Sequence, residues 1–167
     1  MKKVVLVTMF ALILSVAFCL SANAEMAKEG SAEGKAYFTV MVNVLPMEKG
    51  RVHLSYEAYA IYSFADKDSP FYNTTGKCLG SLHIVKGEYE DSGSCVLIRR
   101  DGDKIFTTYK AKGKPGGAAK GTITIVGGTG KCAGIQGSGG FTRYSLPRLE
   151  EAVHMADMEL NFNWKMP

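Results

Sequence analysis

The sequence predicts an all-β protein, a single closed antiparallel eight-stranded β-barrel that follows an N-terminal signal peptide. Three observations carry that prediction. Apolar residues alternate with polar ones along most of the chain, and the helical period is almost nowhere present. Turn-forming pairs such as Asp101-Gly102 and Pro115-Gly116 punctuate the alternating runs at short intervals. The 167 residues, 46% hydrophobic and 22% charged, match one soluble domain large enough to bury a core. A meander of this many strands removes its exposed edges by pairing the first strand with the last.

Residues 1–24 read as the signal peptide. Lys2 and Lys3 precede an apolar run from Val4 to Leu20, and Ser21-Ala22-Asn23-Ala24 supplies the small residues a signal peptidase accepts. A retained anchor would end in a basic stop instead. Export to a periplasm or the exterior is therefore expected. Cleavage removes two of the 20 basic residues and none of the 16 acidic ones, so the formal charge falls from +4 to +2. So small and unclustered an excess argues against a nucleic-acid partner. The densest basic stretch, Lys110 to Lys120, is broken by Gly and Pro and reads as a solvated loop. Residues 25–34 carry little apolar surface and read as a flexible leader, which leaves 35–167 as the barrel domain.

Strands are expected at 35–45, 52–64, 77–86, 94–100, 104–111, 120–127, 136–146 and 157–165. In the second, Val52, Leu54, Tyr56, Ala58, Ala60, Tyr62 and Phe64 share one face, opposite His53, Ser55, Glu57 and Ser63. Tyr59 and Ile61 blur the polar side. In the last, Met158, Leu160, Phe162 and Trp164 alternate with Asp157, Glu159, Asn161, Asn163 and Lys165. Asp101-Gly102 turns the chain between the fourth and fifth strands, because Gly takes positive φ and Asp bonds back to the backbone.

Four cysteines become three once Cys19 leaves with the signal. Cys78 and Cys95 lie symmetrically about Lys86-Gly87, as partners on two antiparallel strands would, and are expected to form a disulfide that leaves Cys132 spare. Metal ligation is the competing use. No C-x-x-C pair occurs, and His53, His83 and His154 are far apart in sequence, so neither a metal nor a cofactor is expected.

A glycine-dense run, Gly127-Gly128-Thr129-Gly130-Lys131-Cys132-Ala133-Gly134-Ile135-Gln136-Gly137, lies between the sixth and seventh strands. It fails as a phosphate loop, which needs Gly where Ile125 stands and Ser or Thr where Cys132 stands. It fails as a dinucleotide loop too, since no amphipathic helix follows. Gly127, Gly128, Gly130, Gly134 and Gly137 instead suit a sharp corner where backbone packs on backbone.

That run, flanked by strands, resembles the hallmark of the allene oxide cyclase and dirigent barrel superfamily, where G-G-[ST]-G-x-[FY]-x-G-x-x-G joins two late strands. Cys95-Val-Leu-Ile-Arg-Arg-Asp-Gly-Asp-Lys-Ile-Phe106 is similar to a hairpin of small exported bacterial members. Cys132 departs from the pattern, standing where the family has an aromatic residue. The resemblance implies a calycin-like eight-stranded barrel, frequently a homotrimer, with an apolar cavity that folds a reactive lipid or steers radical coupling. No catalytic residue carries over, because no motif matches outside the glycine turn.

No nucleophile elbow, metal-protease motif or His/Cys/Asp order points to a reaction. Glu57 and Asp157 fall opposite the apolar faces, toward solvent. The first functional expectation is an exported binding or structural module, its cavity lined by Tyr56, Tyr62, Phe64, Ile84, Tyr109 and Ile125 and holding a small apolar ligand. A filled barrel is the bland alternative. A cavity-type cyclase, isomerase or lyase is a second reading, favoured by any charged residue inside the barrel. An eight-stranded outer-membrane barrel is a third, disfavoured by polar positions on the outer face.

Overall fold

The computed structural model describes residues 26–147, 150 and 153–167. The signal segment lies outside the described residues. Eight strands, β1 (Glu29–Pro46), β2 (Arg51–Phe64), β3 (Thr75–Val85), β4 (Glu88–Ile98), β5 (Lys104–Gly113), β6 (Ala119–Gly128), β7 (Gln136–Ser145) and β8 (Val153–Lys165), pair in sequence order, every neighbour antiparallel. β1 also pairs with β8, Ala36 opposite Met158, and closes the barrel.

Alternation decides which residues enter. Tyr56, Ala58, Ala60, Tyr62 and Phe64 of β2 are buried, while Tyr59 and Ile61 between them face out, and β8 buries Met158, Leu160, Phe162 and Trp164 in the same way. The outer wall carries ion pairs: Lys77 with Glu57 at 3.0 Å, Lys112 with Glu90 at 2.6 Å, and Lys35 with Glu159 at 3.8 Å. These charged pairs interrupt the continuous outer apolar band that a membrane-spanning barrel needs. No helix among the described residues is long and apolar enough to cross a membrane.

The turns follow local chemistry. Lys86 and Gly87 take φ of 52° and 80°, the positive pair of a two-residue hairpin whose twist matches the strands. β3 and β4 therefore pair with Cys78 opposite Cys95, and the two sulfurs are bonded. At the glycine-rich corner a register shift opposite Phe106 and Thr107 bulges β6, and a short 3-10 turn spans Gly130–Cys132. Gly130 has φ of 56°, and a Cβ there would run into the Asp103 carboxylate, which accepts the Lys131 N–H at 2.8 Å. Cys132 is buried and unbonded, and burial pushes its thiol pKa up.

One end of the barrel is plugged. The 65–74 connection folds inward and inserts Phe71, fully buried, against Phe162 with ring centroids 4.0 Å apart, next to Phe64 and Trp164. Arg99 donates to the Pro70 carbonyl at 2.6 Å and holds that loop in place. Packed aromatic pairs of this kind contribute about 1 kcal/mol each beyond the area they bury.

Two expectations need correction. Residues 29–34 are not leader but the first part of β1, hydrogen-bonded to β8 from Glu29 onward, and Trp164 Nε1 donates to the Ala27 carbonyl at 3.0 Å. The segment has few large apolar side chains because its neighbours supply them: the rings of Trp164 and Phe64 fill the space over Gly30 and Gly34. The fourth strand begins at Glu88, not near 94, since an acidic and glycine-containing stretch still completes a ladder when both flanking strands are present.

Candidate functional site

The other end of the barrel is hollow. A cavity of about 550 Å³ opens among the C-terminal ends of β1, β3, β5 and β7 and the N-terminal ends of β2, β4 and β8. Its wall is mostly apolar, from Phe38, Val40, Val42, Leu54, Leu82, Ile84, Ile123, Phe141 and Met158 among others, and Pro115, Gly116, Leu146 and Pro147 rim the mouth.

Of the six residues expected to line it, Tyr56, Tyr62, Ile84 and Tyr109 do so. Phe64 and Ile125 also point inward but are buried away from the cavity, Phe64 in the plugged end against Phe71 and Phe162. Inward phase was right for both; position along the barrel axis decided against them. The disulfide of Cys78 and Cys95 forms part of the cavity wall. Glu57 and Asp157 sit on outward positions of β2 and β8, where Glu57 pairs with Lys77.

Two decisive residues escaped the sequence reading. Asp91 on β4 is 2% exposed, and Arg143 on β7 reaches it across the lumen, donating from Nη2 to Oδ2 at 2.7 Å. Tyr56 donates to the other carboxylate oxygen at 2.6 Å and is itself bonded to the Tyr109 hydroxyl. Since the single Tyr56 proton goes to Asp91, Tyr109 is the donor in that second bond. The resulting relay runs Tyr109 to Tyr56 to Asp91, with Arg143 closing it. Both residues share the inward phase of Cys95 and Phe141 on their own strands, and that phase was the available signal.

Glycine makes the relay possible. Tyr56, Gly80, Gly93 and Tyr109 lie opposite one another in consecutive strands, forming one row across β2 to β5. A Cβ on either glycine would overlap the Tyr109 hydroxyl. Two residues without side chains thus leave the volume in which two phenols meet.

The electrostatics keep the phenols neutral. Burial first, then the Asp91 charge, raises the Tyr109 pKa to about 12, and the same two causes raise that of Tyr56 further. Burial likewise raises Tyr62. Burial disfavours the charged form of Arg143, but the Asp91 charge and hydrogen bonds outweigh it and hold the guanidinium protonated. With both carboxylate oxygens used, Asp91 is not a free base. What the relay offers the cavity is a Tyr109 oxygen with vacant lone pairs and the remaining Arg143 N–H groups.

No family model matches the chain, and no curated protein matches it. Among solved structures it is similar to a pterocarpan synthase dirigent protein, with a TM-score of 0.55 over 88% of this chain and 99% of that one, at 12% identity. The chain therefore has a dirigent-like barrel fold. At that identity the likeness concerns the fold alone.

Proposed function

We propose that this barrel is an exported binding protein that encloses one small, mainly apolar, uncharged molecule bearing a hydroxyl or carbonyl group. The observation that carries it is the 550 Å³ cavity, whose mostly apolar wall carries the Tyr56, Tyr109 and Arg143 cluster, with Thr107, Ser145 and His154 elsewhere on it. That volume is within the range of small-molecule sites, where a few placed polar groups fix orientation. Asp91 and Arg143 neutralise each other, so a charged ligand finds no net countercharge in that pair, whereas a hydroxyl or carbonyl meets Tyr109 and Arg143. Export is supported by the Lys2-Lys3 and apolar N-terminal pattern and by a disulfide, which persists outside reducing compartments. Assembly into a homotrimer, implied by the family resemblance, belongs to the same proposal and is read by light scattering.

The test is titration with the neutral fluorophore N-phenyl-1-naphthylamine, alongside native mass spectrometry of protein from the exporting host. One probe per barrel is expected, lost on Leu82→Trp, which fills the cavity. A folded protein that binds no probe, or binds it equally after Leu82→Trp, would overturn the proposal.

A second reading, a cavity-type cyclase, isomerase or lyase, is favoured by one observation: a buried carboxylate meets a half-buried guanidinium inside the barrel. The dirigent neighbour is named for a synthase reaction, so such a barrel can shape a substrate as well as hold it. Turnover of a bound ligand that Asp91→Asn abolishes while binding persists would select this reading.

A further inference from the structure

We propose that His53 and His83 form a two-nitrogen clamp for a divalent transition metal, Cu²⁺ or Zn²⁺, on the outer wall of the barrel. The two residues lie directly opposite each other on β2 and β3, at outward positions between the cavity-facing Leu54 and Leu82 and their strand neighbours. Thirty residues separate them in sequence, and only the strand register brings them together. Their ring centroids are 5.0 Å apart with the planes at 80°.

That spacing is what a shared metal requires. With metal–nitrogen bonds of about 2.0–2.1 Å, two imidazoles at right or tetrahedral angles on one ion place their centroids roughly 4.5–5.2 Å apart. Rotation of a ring about its own side chain completes the site, and the paired backbone stays still. A hydrogen-bonded ladder on both sides of the pair holds the two side chains at fixed separation, so little order is lost on binding. Glu90 lies beside His83 in register on β4, but its carboxylate is held by Lys112. Among the described residues no group of three or more His, Cys, Asp or Glu is placed to hold a metal, so two protein nitrogens are the ligand set and solvent fills the other positions. Imidazole ligands select Cu²⁺ and Zn²⁺ over Mg²⁺ and Ca²⁺, with Cu²⁺ the tighter.

The experiment titrates the exported protein with CuCl₂ and ZnCl₂. Calorimetry should show one ion per chain, and the Cu²⁺ electron paramagnetic resonance spectrum should show coupling to two imidazole nitrogens. His53→Gln or His83→Gln should each weaken binding by about tenfold or more, since the chelate is lost. Zn²⁺ should raise the Tm of the wild type but not of the double variant, because binding to the native state alone stabilises it. Equal affinity in the double variant, or no binding at all, would overturn the clamp. Should a variant not fold, wild-type proton spectra decide: trace Cu²⁺ should broaden the His53 and His83 ring signals first, and prior broadening elsewhere counts against the proposal.

Discussion

Arg143 on β7 and Asp91 on β4 are joined at 2.7 Å through the interior of the barrel, with β5 and β6 between them on the wall. The Asp91 side chain has no exposed surface and that of Arg143 is 22% exposed, so neither charge has much water to fall back on. The pair contributes little net stability, but losing one partner strands the other.

Asp91→Asn should therefore destabilise the fold by about 3 kcal/mol, and adding Arg143→Met should restore most of it. Urea denaturation of the two single variants and the double variant measures this as a cycle. Strict additivity would mean that the two charges do not depend on each other.

High pH should weaken the protein. Tyr109 is raised to about 12 in the fold, and Tyr56 and Tyr62 are raised further, whereas an unfolded tyrosine titrates near about 10. From pH 10 upward the unfolded chain releases protons that the native chain keeps, so stability is full below that pH and falls as pH rises toward 12. Absorbance at 295 nm should show three of the eight tyrosines ionising only as the fold melts. Eight phenols titrating together in folded protein would contradict it.

Gly80→Ala places a methyl where the Tyr56 and Tyr109 phenols meet. An overpacked core of this kind loses about 1–3 kcal/mol, and displacement of the rings into the cavity should abolish probe binding. Gly117→Ala, in a turn with ordinary φ and no tight contact, is the control that should change neither measurement.

Thiol counting should find no reactive cysteine in the native oxidised protein and one, Cys132, after denaturation. Reducing Cys78–Cys95 should cost about 3 kcal/mol, as expected for a closed loop of this size. Because both sulfurs line the cavity, probe affinity should drop as well. Three thiols appearing on denaturation would mean that the bridge is absent.

Much of this barrel is legible along the chain. The alternation in 52–64 and 157–165 identified β2 and β8 and the face each buries, and Lys86-Gly87 marked the hairpin that aligns Cys78 with Cys95. Side-chain direction in a strand depends only on the residue's parity, so it can be read without any partner. Polar residues were harder: Asp91 has the inward phase of Cys95 but fell ahead of the strand expected from 94, and the inward phase of Arg143 on β7 does not by itself show what it meets. Residues 29–34 were misread for a related reason: their partner, β8, lies more than a hundred residues away.

Parity cannot tell how deep a residue sits, or what it meets across the ring. Tyr56 and Phe64 share one face of β2, yet one joins the relay in the cavity while the other packs in the plug, because the 65–74 loop folds over only one end. The meeting of Asp91 with Arg143, and of His53 with His83, depends on the register carried from strand to strand around the barrel. Local sequence thus determined strand, face and turn, while depth and partner waited on closure of the ring, which couples every strand to all the others.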